Sequence, residues 1–265
     1  MLRYKGGTYQ DAPPQVFTQG LFEESTTKKQ RLGTIRVLDD GRVFRYASLT
    51  AAAKSPGLAM SKVQAPVDAT IAAADAALNL IGRKEITLTI AGATANLYED
   101  GWLVITAGTG IGEMYKIRGN TATNDPATGR ATFYLYDALR TTHVAASTTV
   151  AAHQSPYANL LINPAVANSA ATTQETVMGV TIRAHAGATV VYAWLQTKGI
   201  GAMVLDVDAA AGAESNEMWI TQGTTEGRGL CIADTPTPGM QVLGATLESG
   251  DLTDAEANLI VLAIE

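Results

Sequence analysis

Thr34-Ile35-Arg36-Val37-Leu38-Asp39-Asp40-Gly41-Arg42-Val43-Phe44-Arg45-Tyr46 is the stretch that decides the fold class. Two runs rich in β-branched and aromatic residues flank Asp-Asp-Gly, whose glycine accepts the positive φ of a tight turn. The stretch reads as a β-hairpin. Alternation puts Arg42, Phe44 and Tyr46 on one side and Val43 and Arg45 on the other. The same grammar recurs downstream. Glu85-Ile86-Thr87-Leu88-Thr89-Ile90 alternates cleanly, and Trp102-Leu103-Val104-Ile105 follows the turn Glu99-Asp100-Gly101. Met114 to Ile117 follows a glycine-rich loop, and Thr132 to Tyr136 follows the turn around Asn124-Asp125-Pro126. Strands at this spacing, with turn chemistry between them, fit an antiparallel sandwich or barrel and not a β-α-β sheet.

A second β block is read at Val177–Ile182, Thr189–Gln196, Met203–Asp206, Met218–Thr221, Leu230–Ala233, Gln241–Leu247 and Asn258–Ile264. Its last run, Leu259-Ile260-Val261-Leu262-Ala263-Ile264, is continuously apolar. Such a run fits a strand buried on both faces or paired at a barrel centre. One helix is allowed: Val67, Ile71, Ala74 and Leu78 recur at helical spacing after Pro66, with Asp68 near the start.

The expected architecture is mainly β: an antiparallel β-sandwich or β-barrel body with an extended N-terminal arm and little helix. Residues 1–30 form the arm, because Pro13 and Pro14 forbid regular pairing and Gly6, Gly7 and Gly20 loosen the backbone. Such an arm is either disordered or ordered by a partner. Residues 31–82 hold the hairpin and an Ala-rich connection. Residues 83–157 are a first β domain and 158–265 a second, barrel-like one, with a soft boundary near 156–164 between Pro156 and Pro164.

Composition narrows the function. The chain has 265 residues, 19 Lys and Arg against 25 Asp and Glu, one cysteine and three histidines. Ala, Thr and Gly together exceed a third of it. An acidic pI of about 5.1 disfavours nucleic acid as a partner. No apolar run reaches the length of a membrane span, and Met1–Gln10 has no apolar signal-type core. Charge is polarised: residues 1–46 carry net +3, 47–198 net +1 and 199–265 net −10, with Arg228 the one base in the last stretch. That gradient suggests one end facing a counter-charged partner.

Catalytic, cofactor and metal motifs do not assemble. Gly108-Thr109-Gly110-Ile111-Gly112 fails to complete a dinucleotide fingerprint at Glu113 and runs into a strand pattern, so it reads as a hairpin connection. His143, His153 and His185 lack metal spacing. Asp206, Asp208, Glu214 and Glu217 miss the EF-hand pattern, and Asp251 to Asp254 reads as a solvated loop. Cys231, between Leu230 and Ile232, reads as a small buried hydrophobe. Trp102, Trp194 and Trp219 lie within strand patterns, where core packing is the default. A glycan hydrolase would need two carboxylates facing one cleft, and no local motif supplies them. No catalytic, cofactor-binding or metal residue is therefore nominated.

Several stretches carry a resemblance through their order and spacing. They are Leu32-Gly33-Thr34 with Asp39 to Ala47, Asp100-Gly101-Trp102-Leu103-Val104, Gly110 to Ile117, Leu135-Tyr136-Asp137-Ala138-Leu139, Tyr192 to Gly199, and Val242 to Leu247. Over most of residues 32–265 the chain resembles virion structural proteins of tailed bacteriophages, of the kind found as capsid decoration (cement) proteins. The resemblance implies a non-enzymatic protein on the outer surface of the phage head, with no membrane or nucleic-acid partner. It would bind and stabilise the assembled shell of major capsid protein, working as a homotrimer. The basic hairpin end makes Arg36, Arg42, Phe44, Arg45 and Tyr46, together with the arm, the expected capsid contact. The alternative is a tail or fibre component that binds a host surface glycan.

Overall fold

The structure is a computed structural model that describes residues 17–52, 54–63, 67–71, 79–124, 129–143, 147–162, 175–185, 187, 189–206, 219–223, 225, 227–232, 241–247 and 256–265. These residues form β-strands and no helix. In chain order the strands are β1 (Ile35–Val37), β2 (Val43–Leu49), β3 (Ala59–Val63), β4 (Val67–Thr70), β5 (Glu85–Thr89), β6 (Trp102–Ala107), β7 (Met114–Asn120) and β8 (Arg130–Leu135). They continue as β9 (Thr149–His153), β10 (Leu161–Ile162), β11 (Glu175–Thr181), β12 (Val191–Asp206), β13 (Trp219–Gln222), β14 (Gly229–Ile232), β15 (Gly244–Thr246) and β16 (Ala257–Ala263).

Two sheets share these strands. One runs β10-β3-β11-β12-β14-β13-β15-β16, with β2 also paired to β12 and β1 to β2. Because β16 returns to pair with β12, the strands β12, β14, β13, β15 and β16 close a five-stranded barrel. The other sheet runs β4-β9-β6-β7-β8-β5 and curls until its edge strands β4 and β5 touch. It is inserted between β3 and β10, so the hairpin section 31–63 folds with the C-terminal block and not beside the strands that follow it. The chain leaves the inserted sheet after β9 and re-enters the first sheet at β10, within the Pro156–Pro164 stretch read as a boundary.

Each sheet buries one set of alternating side chains. Ile86, Leu88, Leu103, Ile105, Tyr115, Ile117, Phe133 and Leu135 fill the curled sheet. Met203, Leu205, Ile220, Cys231, Leu243, Ile260 and Leu262 fill the barrel. A third cluster, around Phe44, Tyr46, Met60, Leu160 and Trp194, lies under the hairpin.

Strand β12 links these parts. Its first half pairs with β2, from Val191↔Leu49 to Lys198↔Val43. Its second half pairs with β16, from Lys198↔Ala263 to Val204↔Ala257. The partner changes at a bulge between Gln196 and Lys198. There the buried Gln196 side chain donates to the carbonyls of Lys198 (3.3 Å) and Ile200 (2.7 Å). Gly199 sits at φ +89°, where a Cβ would meet the Arg42 Cα at 3.0 Å.

Three sequence expectations change. Thr189–Gln196 and Met203–Asp206 belong to one strand, because the bulge at Thr197 does not break it and Lys198–Val204 continues in unbroken register with β16. Val67–Thr70 is strand β4, paired with β9 from Val67↔Ala152 to Thr70↔Thr149, where a helix was allowed; Ala74 and Leu78 lie outside the described residues. The apolar run of β16 is buried on one face only: Ile260 and Leu262 point into the barrel, while Leu259 and Val261 remain 45% and 36% exposed.

Barrel closure leaves no space at Gly244, where a Cβ would fall 2.0 Å from the Val261 carbonyl oxygen. Gly244→Ala therefore forces β15 off β16 and is expected to cost about 3 kcal/mol, the upper range for overpacking. Urea unfolding measures this, and an unchanged midpoint would contradict the closed barrel.

Candidate functional site

The candidate surface is built from the hairpin and the segment that precedes it. Residues 17–32 cross the molecule as a strap held by its own body, where the arm was expected to be disordered or ordered by a partner. Phe17 stands edge-on to Trp194 at 5.3 Å. Gln19 is the buried fastening. Its amide donates to the Glu23 (2.7 Å) and Tyr192 (2.8 Å) carbonyls. Its side-chain oxygen accepts from the Tyr46 hydroxyl at 2.8 Å, and its backbone carbonyl accepts from the Trp194 indole at 3.3 Å. Ser25 bridges Tyr192. Glu24 meets His185 Nδ1 at 3.2 Å, while His185 Nε2 faces the Thr189 carbonyl at 3.1 Å. Residues 1–16 of the arm, with Pro13 and Pro14, lie outside the described residues.

The strap ends on the inserted sheet, at Asp100. This buried aspartate takes φ +59°, a conformation that Asp tolerates better than most residues. Its Oδ2 accepts from the Leu32 amide at 2.9 Å and meets Lys28 Nζ at 2.8 Å. Lys28 also reaches Glu99 at 2.7 Å. The Asp100 backbone carbonyl accepts from Lys116 Nζ at 2.5 Å. Burial disfavours the Lys28 ammonium, but its hydrogen bonds and charge contacts with Asp100 and Glu99 outweigh that and raise its pKa. Burial lowers the pKa of Lys116. Arg31 completes the crossing by lying 4.3 Å from the Tyr136 ring centre.

The five nominated contact residues divide. Phe44 and Tyr46 are fully buried in the cluster under the hairpin, so their side chains are core and not surface. Alternation had placed them correctly on one face; the strap covers that face. Arg36 is half-buried, stacked 4.9 Å from Phe17 and 5.7 Å from Trp194, and donates to the Gln19 carbonyl at 3.3 Å. Arg42 pairs with Asp40 at 2.7 Å, which holds the Asp40 carboxyl below its ordinary value through backbone and side-chain hydrogen bonds. Arg45 pairs with Glu265 at 2.6 Å and donates to the Gly33 carbonyl at 2.9 Å. Glu265 also accepts from Tyr157 at 2.7 Å; burial and that carboxylate push the Tyr157 phenol well up. These arginines build the hairpin end. The exposed groups there include Lys29, Arg31, Ile35, Val37, Asp39 and Asp40, with Ile35 and Val37 on the outer face of β1.

The other chemical candidates take structural positions. Gly108 to Gly112 is the hairpin connection between β6 and β7, with all three glycines at positive φ. His143 is buried beside it, with Nδ1 3.1 Å from the Thr109 carbonyl. Glu113 accepts from Tyr115 and Thr141 in the same corner. Asp206 is held by Arg228 at 2.9 Å and by the Thr225 amide at 2.6 Å; Asp208, Glu214, Glu217, Asp251 and Asp254 lie outside the described residues. Cys231 is buried in the barrel. Trp194 is core, Trp102 lies 4.4 Å from Lys116 Nζ, and Trp219 is 44% exposed. Among the described residues no three His, Cys, Asp or Glu side chains gather as metal ligands.

Compared with protein-family models, curated proteins and solved structures, the chain gives no match.

Removing one partner of a buried ion pair leaves the other uncompensated. Lys28→Met is expected to destabilise the protein by about 3 kcal/mol and to expose the Lys29 and Arg31 bonds to trypsin. Wild-type resistance equal to that of the variant would contradict the latch. The Lys28 pKa is raised in the fold, so its contribution is fully present below the ordinary lysine value of 10.5 and is lost as pH rises through the folded-state value. The stability difference between wild type and Lys28→Met should hold from pH 7 to 9 and shrink above about pH 10.5 in urea titrations.

Proposed function

We propose that this chain is a non-enzymatic virion structural protein of a tailed bacteriophage, a decoration protein that binds the assembled major capsid protein shell from outside. It acts as a homotrimer, so that weak contacts are multiplied by avidity. The observation that carries this reading is the strap. Side-chain bonds fix residues 17–32 across both sheets, so Phe17 is held at a defined point on the body. A terminal segment that starts from a rigid anchor suits a protein that reaches over neighbouring subunits and orders there. The exposed Ile35 and Val37, with the exposed Lys29, Arg31, Asp39 and Asp40, give that end an apolar surface with charges of both signs, suited to a large mixed partner. The motif order of residues 32–265 supports the same class.

The test is co-sedimentation with shells of the major capsid protein. Removal of residues 1–16 is expected to abolish binding while the unfolding midpoint stays unchanged, because the contacts of Phe17 with Trp194 and of Gln19 with Tyr46 are kept. A truncated chain that coats shells as well as the full one overturns the arm's role. Localisation to the tail on labelled particles, with glycan binding, overturns decoration in favour of a fibre component.

A further inference from the structure

The outer face of the inserted sheet carries cations laid over aromatic rings. Strand register sets His153 of β9, Trp102 of β6 and Lys116 of β7 side by side. The Tyr136 amide donates to the Lys116 carbonyl at 3.1 Å and carries the line to the end of β8. Three rings on this face each have a cation over them. Lys116 Nζ stands 4.4 Å from the Trp102 ring centre, the Arg31 guanidinium 4.3 Å from that of Tyr136, and the Arg118 guanidinium 5.9 Å from that of Tyr134. A fourth cation, Lys84, donates through Nζ to the Tyr136 carbonyl at 3.1 Å. Arg31, Lys84 and Arg118 are exposed, and Lys116 and the three rings are half-buried. The carboxylates of this neighbourhood are Glu85, Glu99, Asp100 and Asp137. Glu99 and Asp100 pair with Lys28, and Glu85, opposite Tyr134, pairs with Arg83 at 3.3 Å. Asp137 is exposed. Among the described residues none of these acids forms a salt bridge with Arg31, Lys84, Lys116 or Arg118. Burial lowers the Lys116 pKa, and the Arg31 charge acts in the same direction against the pull of Asp100.

We infer that this face docks an acidic, extended segment of a partner protein. The fold holds four like charges close together without carboxylate partners of their own, and an anion placed among them relieves their repulsion. Stacking on tyrosine holds the Arg31 and Arg118 guanidiniums flat. Neither makes a side-chain hydrogen bond among the described residues, so their N–H edges remain for two-point bonds to carboxylates. The same stacking decides against other anions. A base binds by laying itself on a ring face, and cations already occupy faces of these three rings. A long polyanion also meets the chain's net charge of −6. A short acidic segment senses only the charges within one Debye length, about 10 Å at 0.1 M salt. The line from His153 to Tyr136 crosses β9, β6, β7 and the end of β8. Three strand spacings make about 15 Å, which an extended chain of about five residues covers. The curled sheet brings its edge strands β4 and β5 together, so the segment crosses the face and does not extend an edge.

This inference goes beyond the decoration reading and does not rest on it. The probe is a fluorescein-labelled hexaglutamate peptide, titrated with the full chain and read by fluorescence anisotropy. Saturable binding that weakens as salt rises is expected. Arg31→Gln and Arg118→Gln should each weaken it about tenfold, with the unfolding midpoint retained. Arg140→Gln removes the same charge beside Tyr115 and should leave binding unchanged. In nuclear magnetic resonance spectra the Trp102 indole signal should move on titration, while those of Trp194 and Trp219 stay. Absence of saturable binding, an unaltered affinity in Arg118→Gln, or movement of the Trp219 signal in place of Trp102 overturns the inference. Tighter binding of oligothymidylate or of a sulfated oligosaccharide than of the peptide overturns it too, in favour of a nucleic acid or a glycan. A chain that coats shells but ignores the peptide would count against this face alone, whereas one that binds the peptide and leaves shells bare would count against decoration alone.

Discussion

Backbone pairing along β12 is the constraint on which the rest of the molecule depends. Sixteen residues run as one strand, yet they serve two partners. The Val191–Lys198 half receives β2 and, through it, the hairpin and the strap. The Lys198–Val204 half receives β16 and closes the barrel. The exchange takes place within a few residues, at Gln196 to Gly201. A bulge adds local twist, and this one turns the strand out of the hairpin sheet and into the barrel. The Gln196 amide satisfies the carbonyls that the bulge would otherwise leave unpaired, which matters because a buried orphan carbonyl is costly. Thr197 is held between the two partners: its hydroxyl donates to the Val43 carbonyl at 3.3 Å, and its carbonyl accepts from the Ile264 amide at 3.1 Å.

The strap adds a second level of connection. The inserted sheet departs after β3 and returns at β10, so few backbone bonds tie it to the barrel sheet. Asp100 supplies a tie that the ladders do not. It joins a backbone amide and an ammonium from residues 28–32 to the turn before β6. A buried carboxylate in such a place is weak evidence for stability in itself, since its desolvation offsets much of the attraction. It does specify geometry: a single position of the strap satisfies Lys28 and Leu32 together while keeping Phe17 and Gln19 on Trp194.

Much of this was legible in the sequence, for local reasons. The β1–β2 hairpin declares itself through Asp-Asp-Gly, and Gly41 takes the expected positive φ of 86°. The β6–β7 turn is visible because three glycines separate two alternating runs. What was not legible depends on distant partners. Asp100-Gly101 reads as a turn, but its contact with Leu32 joins residues 68 apart. Phe44 and Tyr46 alternate correctly, but whether their face is surface or core is decided by a strap with no periodic pattern of its own. The arginines look like free charge, yet Arg36 lies on aromatic rings and Arg42 and Arg45 are paired with acids. Gly199 and Gly201 look like strand breakers, yet both pair in unbroken register with β16; Gly199 takes φ +89° against Arg42, and Gly201 leaves room for the Gln196 side chain. The apolar run of β16 fits burial on both faces or pairing at a barrel centre; it pairs within the barrel, and among the described residues Leu259 and Val261 on its outer face stay exposed.

The coupling of hairpin and barrel depends on β12 being a single structural unit. Native-state hydrogen exchange across Val191–Asp206 measures this directly. The hydrogen-bonded amides of both halves should share one opening free energy, equal to that of global unfolding. Two separate opening energies, with the step at Gln196–Gly199, would mean that hairpin and barrel fold independently and would contradict it.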